Sequence, residues 1–134
     1  LAEDALKRSI ASRVTAEACN DLAWILQRRG ALAEAERMAR QAVEMNEKMP
    51  QAWDTLGVVL MRARKIDEAE VALEKALALA REDPGVSVHL AELHLVRGNR
   101  EKAGQLAAAA TSKEAALSAD DRAKLTEVRQ ELGK

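Results

Sequence analysis

Apolar positions fall into blocks with helical spacing, and the blocks repeat. Shifting the chain against itself by 34 residues aligns Leu22, Leu56 and Leu90, and next to them Ala23, Gly57 and Ala91. Further along the same shift, Ala35, Ala69 and Ala103 align, as do Ala42, Ala76 and Ala110, with no insertion. The pattern therefore predicts three units, 16–49, 50–83 and 84–117, each a helix-turn-helix that buries its apolar face only by stacking on its neighbours. In the first unit the helices are expected at about 16–28 and 32–46, with Gly30 at the turn, where a left-handed C-cap suits glycine. Gly98 holds the same place in the third unit. In the second the residue is Arg64, which costs about 1 kcal/mol if the turn keeps its form.

Two stretches lie outside the period. Residues 1–15 carry Ala2, Leu6 and Ile10, with Ala5 and Ser9 alongside, and run out near Val14-Thr15. They read as the second helix of a partial repeat, with Ala2, Leu6 and Ser9 in small, bulky and small places. Because the chain begins at Leu1 rather than Met, a longer parent with further repeats is expected. Residues 118–134 form a charged helix with one apolar stripe, Leu125, Val128 and Leu132, capped by Ser118, with Asp120 and Asp121 in its first turn and Gly133-Lys134 at its end. This is the expected solvating cap over the third unit.

With these positions in hand, the chain resembles the tetratricopeptide repeat family. The middle unit carries the resemblance best, with Trp53, Leu56, Gly57, Ala69, Leu73 and Ala76 in the motif's places. Leu60 replaces the usual aromatic, and Pro84 lies three residues beyond the usual proline. The outer units are looser: Cys19 and Ser87 fill the Trp place, Leu26 and His94 the Tyr place, Ala39 and Ala107 the bulky place. The resemblance implies an all-α fold of about eight helices, a right-handed α-solenoid of tetratricopeptide helix-turn-helix repeats with a C-terminal capping helix. It makes residues 1–134 one solenoid, comprising the partial repeat, three repeats and the cap. It also implies that Trp53 is buried between the helices of its own and the next repeat, so that truncation to Ala costs about 3–5 kcal/mol.

Composition narrows the function. Hydrophobic residues make up 48% of the chain, but 28 residues are Ala, so helices must approach closely to form a core. Phe and Tyr are absent and charged residues reach 32%, which suits helices laced with ion pairs and excludes a β-rich fold. A net charge of −1 argues against a nucleic-acid binder. No apolar run approaches the length of a membrane span, so direct membrane insertion is not expected, and no targeting signal is visible. The chain is read as soluble, with cytoplasm and periplasm both open. One Cys cannot form an internal disulfide.

Catalytic chemistry finds no residues to carry it. His89 and His94 are five apart, about 140° around a helix, and cannot share a metal ion. Cys19 sits where Trp53 sits in the next repeat and reads as a buried small hydrophobe. Pro84-Gly85 lacks the Lys-Ser/Thr of a phosphate loop and reads as a helix start. Asp120-Asp121, Asp67-Glu68 and Glu101 sit at helix starts as dipole partners. The basic residues near the turns, Arg28, Arg29, Arg62, Arg64, Lys65, Arg97 and Arg100, read the same way, as cations at helix ends. A basic edge for an acidic partner is the sharper reading, and the carboxylates that follow weigh against it. No enzyme, cofactor or metal site is expected.

Instead the resemblance implies a groove lined by the first helix of each repeat. Its partner-binding positions are Asn20, Trp24, Gln27 and Arg28; Asp54, Val58, Met61 and Arg62; and Val88, Glu92 and Leu95. Glu17, Asp21, Gln51, Thr55, Gly85, His89 and Val96 lie beside them. Such a groove takes a partner's amphipathic helix or extended peptide. The clamp for a chaperone C-terminus is excluded, because Asn20, Trp24, Thr55, Gly85 and His89 do not match its residues. Asn20-Asp-Leu-Ala-Trp24 and Asp54-Thr-Leu-Gly57 are similar to runs in tetratricopeptide proteins of pilus assembly and exopolysaccharide export, which implies a scaffold in a bacterial multiprotein assembly. The alternative is a structural or self-association module, a homo-oligomer or a groove covered by other parts of the parent protein.

Overall fold

The computed structural model describes residues 2–12 and 15–134, with side chains for 2–7 and 15–134. Ser9, Ile10 and Val14 of the partial-repeat reading lie outside the described side chains. The helices are α1 (Ala2–Ser12), α2 (Ala16–Arg28), α3 (Leu32–Met45), α4 (Pro50–Arg62), α5 (Ile66–Leu79), α6 (Pro84–Val96), α7 (Arg100–Thr111) and α8 (Ala119–Leu132). A single 3₁₀ turn, Glu114–Ala116, precedes α8, and the described residues contain no strand. They group into two compact units, Leu1–Leu79 and Ala80–Lys134.

In the first unit α2 packs on α3 and α4 on α5, while α2 and α3 both contact α4 and α1 lies on α2. Helix starts follow the sequence. Thr15 Oγ1 accepts from the Ala18 amide at 3.0 Å, satisfying one of the amides a helix start leaves open, and Pro50 opens α4 where no amide is needed. The turns between paired helices share one hydrogen-bond pattern. Ala31 N donates to Leu26 O, Lys65 N to Leu60 O and Asn99 N to His94 O, at 2.8–2.9 Å, the closure of a Schellman cap. That closure needs a left-handed residue, which is Gly30 (φ 81°), Arg64 (φ 67°) and Gly98 (φ 80°). The turn at Arg64 therefore does not adjust to its side chain.

The alanines of the 34-residue period, Ala35, Ala69, Ala103, Ala42, Ala76 and Ala110, are all fully buried. Their small size brings paired helices close, and one pair of places shows how close. A Cβ on Gly57 would lie 2.5 Å from Leu73 Cγ, so α4 yields a side chain where α5 supplies a large one. In the other repeats these places hold Ala23 with Ala39 and Ala91 with Ala107, two small side chains instead of none and one large.

Trp53 departs from expectation. It is half-buried, its indole N–H donates to the Glu47 carbonyl at 2.7 Å, and Lys75 Nζ stands 4.5 Å from the ring centroid. It borders an open cavity of about 360 Å³ with Glu47, Lys75, Ala78 and Leu79. Part of the ring stays wet, so truncation costs less than full burial implies, about 2 kcal/mol.

In the second unit α6 packs on α7, and α8 lies against both. Asp83 caps α6 through the Gly85 and Val86 amides, and Ser118 Oγ accepts from Asp121 N at 3.1 Å to start α8. The predicted stripe does the packing. Leu125 and Val128 are buried with Val88, Ala91, Ala107, Ala110 and Leu117, and Leu132 closes one edge.

Candidate functional site

The first helices of the first unit, α2 and α4, carry eight of the positions read as partner-binding. Asn20, Trp24, Asp54 and Met61 are half-buried and Arg28 is exposed. Half-burial at these places follows from helix phase: each lies to one side of the stripe that holds Leu22, Leu26, Leu56 and Leu60 in the core. Val58 is nearly enclosed.

Gln27 and Arg62 do something the sequence reading did not foresee. The Gln27 side chain is buried, and Arg62 donates through Nη1 to both its Oε1, at 2.9 Å, and its main-chain carbonyl. The Gln27 carbonyl already accepts from the Gly30 amide of the turn at 3.1 Å, and the guanidinium from α4 gives it a further donor at the end of α2. This bridge fixes α2 and α4 side by side. The only sequence signal for it was a long cation one repeat beyond a buried amide.

The third helix of the set, α6, is occupied differently, and here the expectation of an open face is corrected. Val88 is fully buried beneath α8, and Leu95 packs on the same cluster. His89, only 5% exposed, places Nε2 3.0 Å from Asp121 Oδ1. Gly85 gives that carboxylate its room, since a Cβ there would meet Asp121 Oδ2 at 2.9 Å. Glu92 faces Lys124 Nζ at 3.8 Å. Only Val96, 55% exposed, remains outside. The physical reason is the stripe of α8, whose leucines and valine need an apolar surface and find it on α6.

Charge states follow from these neighbours. Burial works to raise the Asp121 carboxyl, but the hydrogen bond and charge of His89, with help from Ser118, hold it below the ordinary range. Glu92 goes the other way: burial raises it, and Lys124 and His89 do not fully offset that. Burial also pushes the Cys19 thiol up, which leaves it a fully enclosed apolar group and a poor nucleophile. Among the described residues no three His, Cys, Asp or Glu side chains are placed to hold a metal ion. None of the described helices is long and apolar enough to cross a membrane.

Helix pairs closed by Schellman turns, small residues at a fixed period and a capping helix together define a tetratricopeptide-type repeat protein. Residues 15–49 and 60–124 each match a tetratricopeptide repeat family model, and the chain belongs to that family. No curated protein matches it. Among solved structures it is similar to a thermophilic tetratricopeptide protein of Thermus thermophilus, with 23% identity over 96% of this chain and 72% of that one, at a TM-score of 0.80. It is also similar to YrrB, a tetratricopeptide protein described as having an unusual peptide-binding site, with 18% identity over 96% of this chain and a TM-score of 0.76. The match spans 64% of the YrrB chain, under two thirds of its length. A third is the first tetratricopeptide domain of Spaghetti (RPAP3) bound to an HSP90 peptide, with 16% identity over 90% of this chain and 94% of that one, at a TM-score of 0.75. At these identities the likeness is one of fold.

Proposed function

We propose that the face formed by α2 and α4 binds a peptide or helix of a partner protein. The tetratricopeptide fold is a protein-interaction scaffold, and two similar structures are described by the peptides or peptide sites they carry. The observation that carries the reading in this chain is the Arg62–Gln27 bridge, which holds α2 and α4 in fixed register. Asn20, Trp24, Asp54 and Met61, half-buried on those two helices, then form a surface whose shape is set before a partner arrives. Preorganisation lowers the entropy lost on binding. Arg28 lies at its rim, and Val58 fills its floor. The α6 positions Val88, Glu92 and Leu95 are left out of this surface.

A scaffold within a bacterial multiprotein assembly fits this reading. Trp24 is the residue to test, since truncating a binding anchor of this kind typically costs about 2 kcal/mol or more of affinity. Trp24→Ala should keep the thermal unfolding transition while losing capture of native partners, scored by affinity capture and mass spectrometry. Capture equal to wild type, or a collapsed transition, would place Trp24 in the core and remove the proposal's anchor.

A further inference from the structure

One side of α2 carries two carboxylates that meet no cation among the described residues. Glu17, Asn20, Asp21 and Trp24 stand at the i, i+3, i+4 and i+7 spacing that puts side chains on one face of a helix within two turns. Glu17 and Asp21 are exposed, and neither enters an ion pair among the described residues. The helix dipole favours Glu17 in the first turn, but its effect fades by Asp21, a turn further in. The other charges of the face are in use. Arg28 and Asp54 have interaction partners of their own. Arg62 is bonded to Gln27, about 9 Å along the axis from Asp21.

Asn20, between the two carboxylates, brings an acceptor that lacks a donor. Its Oδ1 is buried and accepts no hydrogen bond. Native folds leave few buried acceptors in that state, because each costs stability. Since Oδ1 has no bond to lose where it lies, turning the amide outward toward a ligand's donor breaks none at that atom. Trp24, half-buried one turn further on, adds aromatic surface. Two carboxylates, an amide oxygen and an aromatic ring on one face match a cation with several donors.

Resting on the reading of α2 and α4 as a partner-binding face, we infer that its stretch from Glu17 to Trp24 receives an arginine-bearing segment of the partner protein. A guanidinium carries its N–H donors in a planar fork, so it can pair with a carboxylate and reach the Asn20 amide oxygen together, and its flat cation stacks on an aromatic ring. An ammonium offers a point charge without the fork. Opposite charge across the contact also steers the basic segment toward this end of the face.

The test is titration of the full chain with fluorescein-labelled oligoarginine at low salt, read by anisotropy, with oligolysine and oligoglutamate as comparisons. The indole N–H signals of Trp24 and Trp53 are followed by NMR with unlabelled peptide. Oligoarginine should bind more tightly than oligolysine, oligoglutamate should not bind, and the Trp24 signal should shift while that of Trp53 stays. Glu17→Gln and Asp21→Asn should each weaken binding about threefold, as one exposed charge pair allows. Glu101→Gln, which alters an exposed carboxylate on α7, should leave it unchanged. Asn20→Leu should weaken binding about threefold and raise the unfolding midpoint by about 4 °C, because the buried oxygen without a donor is gone. Equal binding by wild type and the Glu17→Gln/Asp21→Asn double variant, oligolysine bound as tightly as oligoarginine, or a shift at Trp53 with none at Trp24 would overturn the inference. Any of these, alongside loss of native-partner capture in Trp24→Ala, would leave the α2/α4 face standing and remove only its arginine; capture kept in Trp24→Ala would remove the face itself.

Discussion

The first helices of the two units carry the same repeat positions and use them in opposite ways. On α2 and α4, Asn20, Trp24, Asp54 and Met61 stay half-buried, and a guanidinium bridge joins one helix to the next. On α6 the equivalent places, Val88, Glu92 and Leu95, lie against α8. Residue type separates them in part, with Asp54 and Val88 in one slot and Val58 and Glu92 in another, but the larger difference is the neighbour. A helix outside the repeat period, held by Leu125, Val128 and Leu132, covers the binding-type positions of the last repeat, burying Val88 and packing against the half-buried Glu92 and Leu95. Transferring a family's groove slot by slot therefore holds only where the next element leaves that face open.

The strongest way to break this contrast is to remove the anchor of α8. Leu125 is fully buried, and Leu125→Ala should destabilise the chain by about 2–5 kcal/mol, read from denaturant unfolding. The lost packing should expose Val88 and Leu95 and promote self-association, visible by sedimentation velocity. An equally stable monomer would mean that α8 is a tail and that α6 is as open as α4.

A middle-sized effect comes from the polar side of the same contact. Asp121→Ala leaves His89 enclosed without its carboxylate and should cost about 2 kcal/mol. The pH dependence has two opposing parts. Asp121 is depressed, so its contribution is present above the ordinary carboxylate value and is lost as pH falls through its lowered one. Glu92 is raised, so the cost of burying its charge is relieved as pH falls through that raised value. Stability should thus rise slightly on mild acidification and then fall. Glu36, held low by Lys65 and Arg40 against the opposing pull of burial, adds to the fall. Glu92→Gln should abolish the rise and raise stability at neutral pH; a thermal midpoint that declines steadily with acid in both proteins would remove Glu92 from the account.

These particulars show which parts of the structure could be read in advance. Helix bounds, the left-handed turn at residues 30, 64 and 98 and the Ser118 cap follow from short-range chemistry, and each lies where the sequence puts it. Leu125 and Val128 were legible as a buried stripe because a helix must hide its apolar face. Asp121 was legible as a helix-start carboxylate, but not as the partner of His89, 32 residues away. Trp53 was read as enclosed, and its half-burial depends on what lies over the ring rather than on its motif. The α2/α4 candidate surface was named residue by residue, yet the bond that fixes it, between Gln27 and Arg62, joins different repeats and leaves no local pattern.

The smallest expected effect tests that bond directly. Gln27 and Met61 occupy the same place in successive repeats, and Gln27 accepts a hydrogen bond from the following first helix. Gln27→Ala removes the side-chain acceptor while the Gln27 carbonyl stays available to Arg62, so about 1 kcal/mol should be lost. Arg62→Ala removes both bonds and should cost somewhat more. If the two residues act as one bridge, the double variant should cost less than the sum, with a coupling of about 0.5 kcal/mol or more. The Met61→Ala and Arg62→Ala pair serves as the comparison, since Met61 holds on α4 the slot that Gln27 holds on α2. Coupling as small between Gln27 and Arg62 as between Met61 and Arg62 would mean that packing alone holds α2 against α4, and the preorganised face would lose the bond assigned to it.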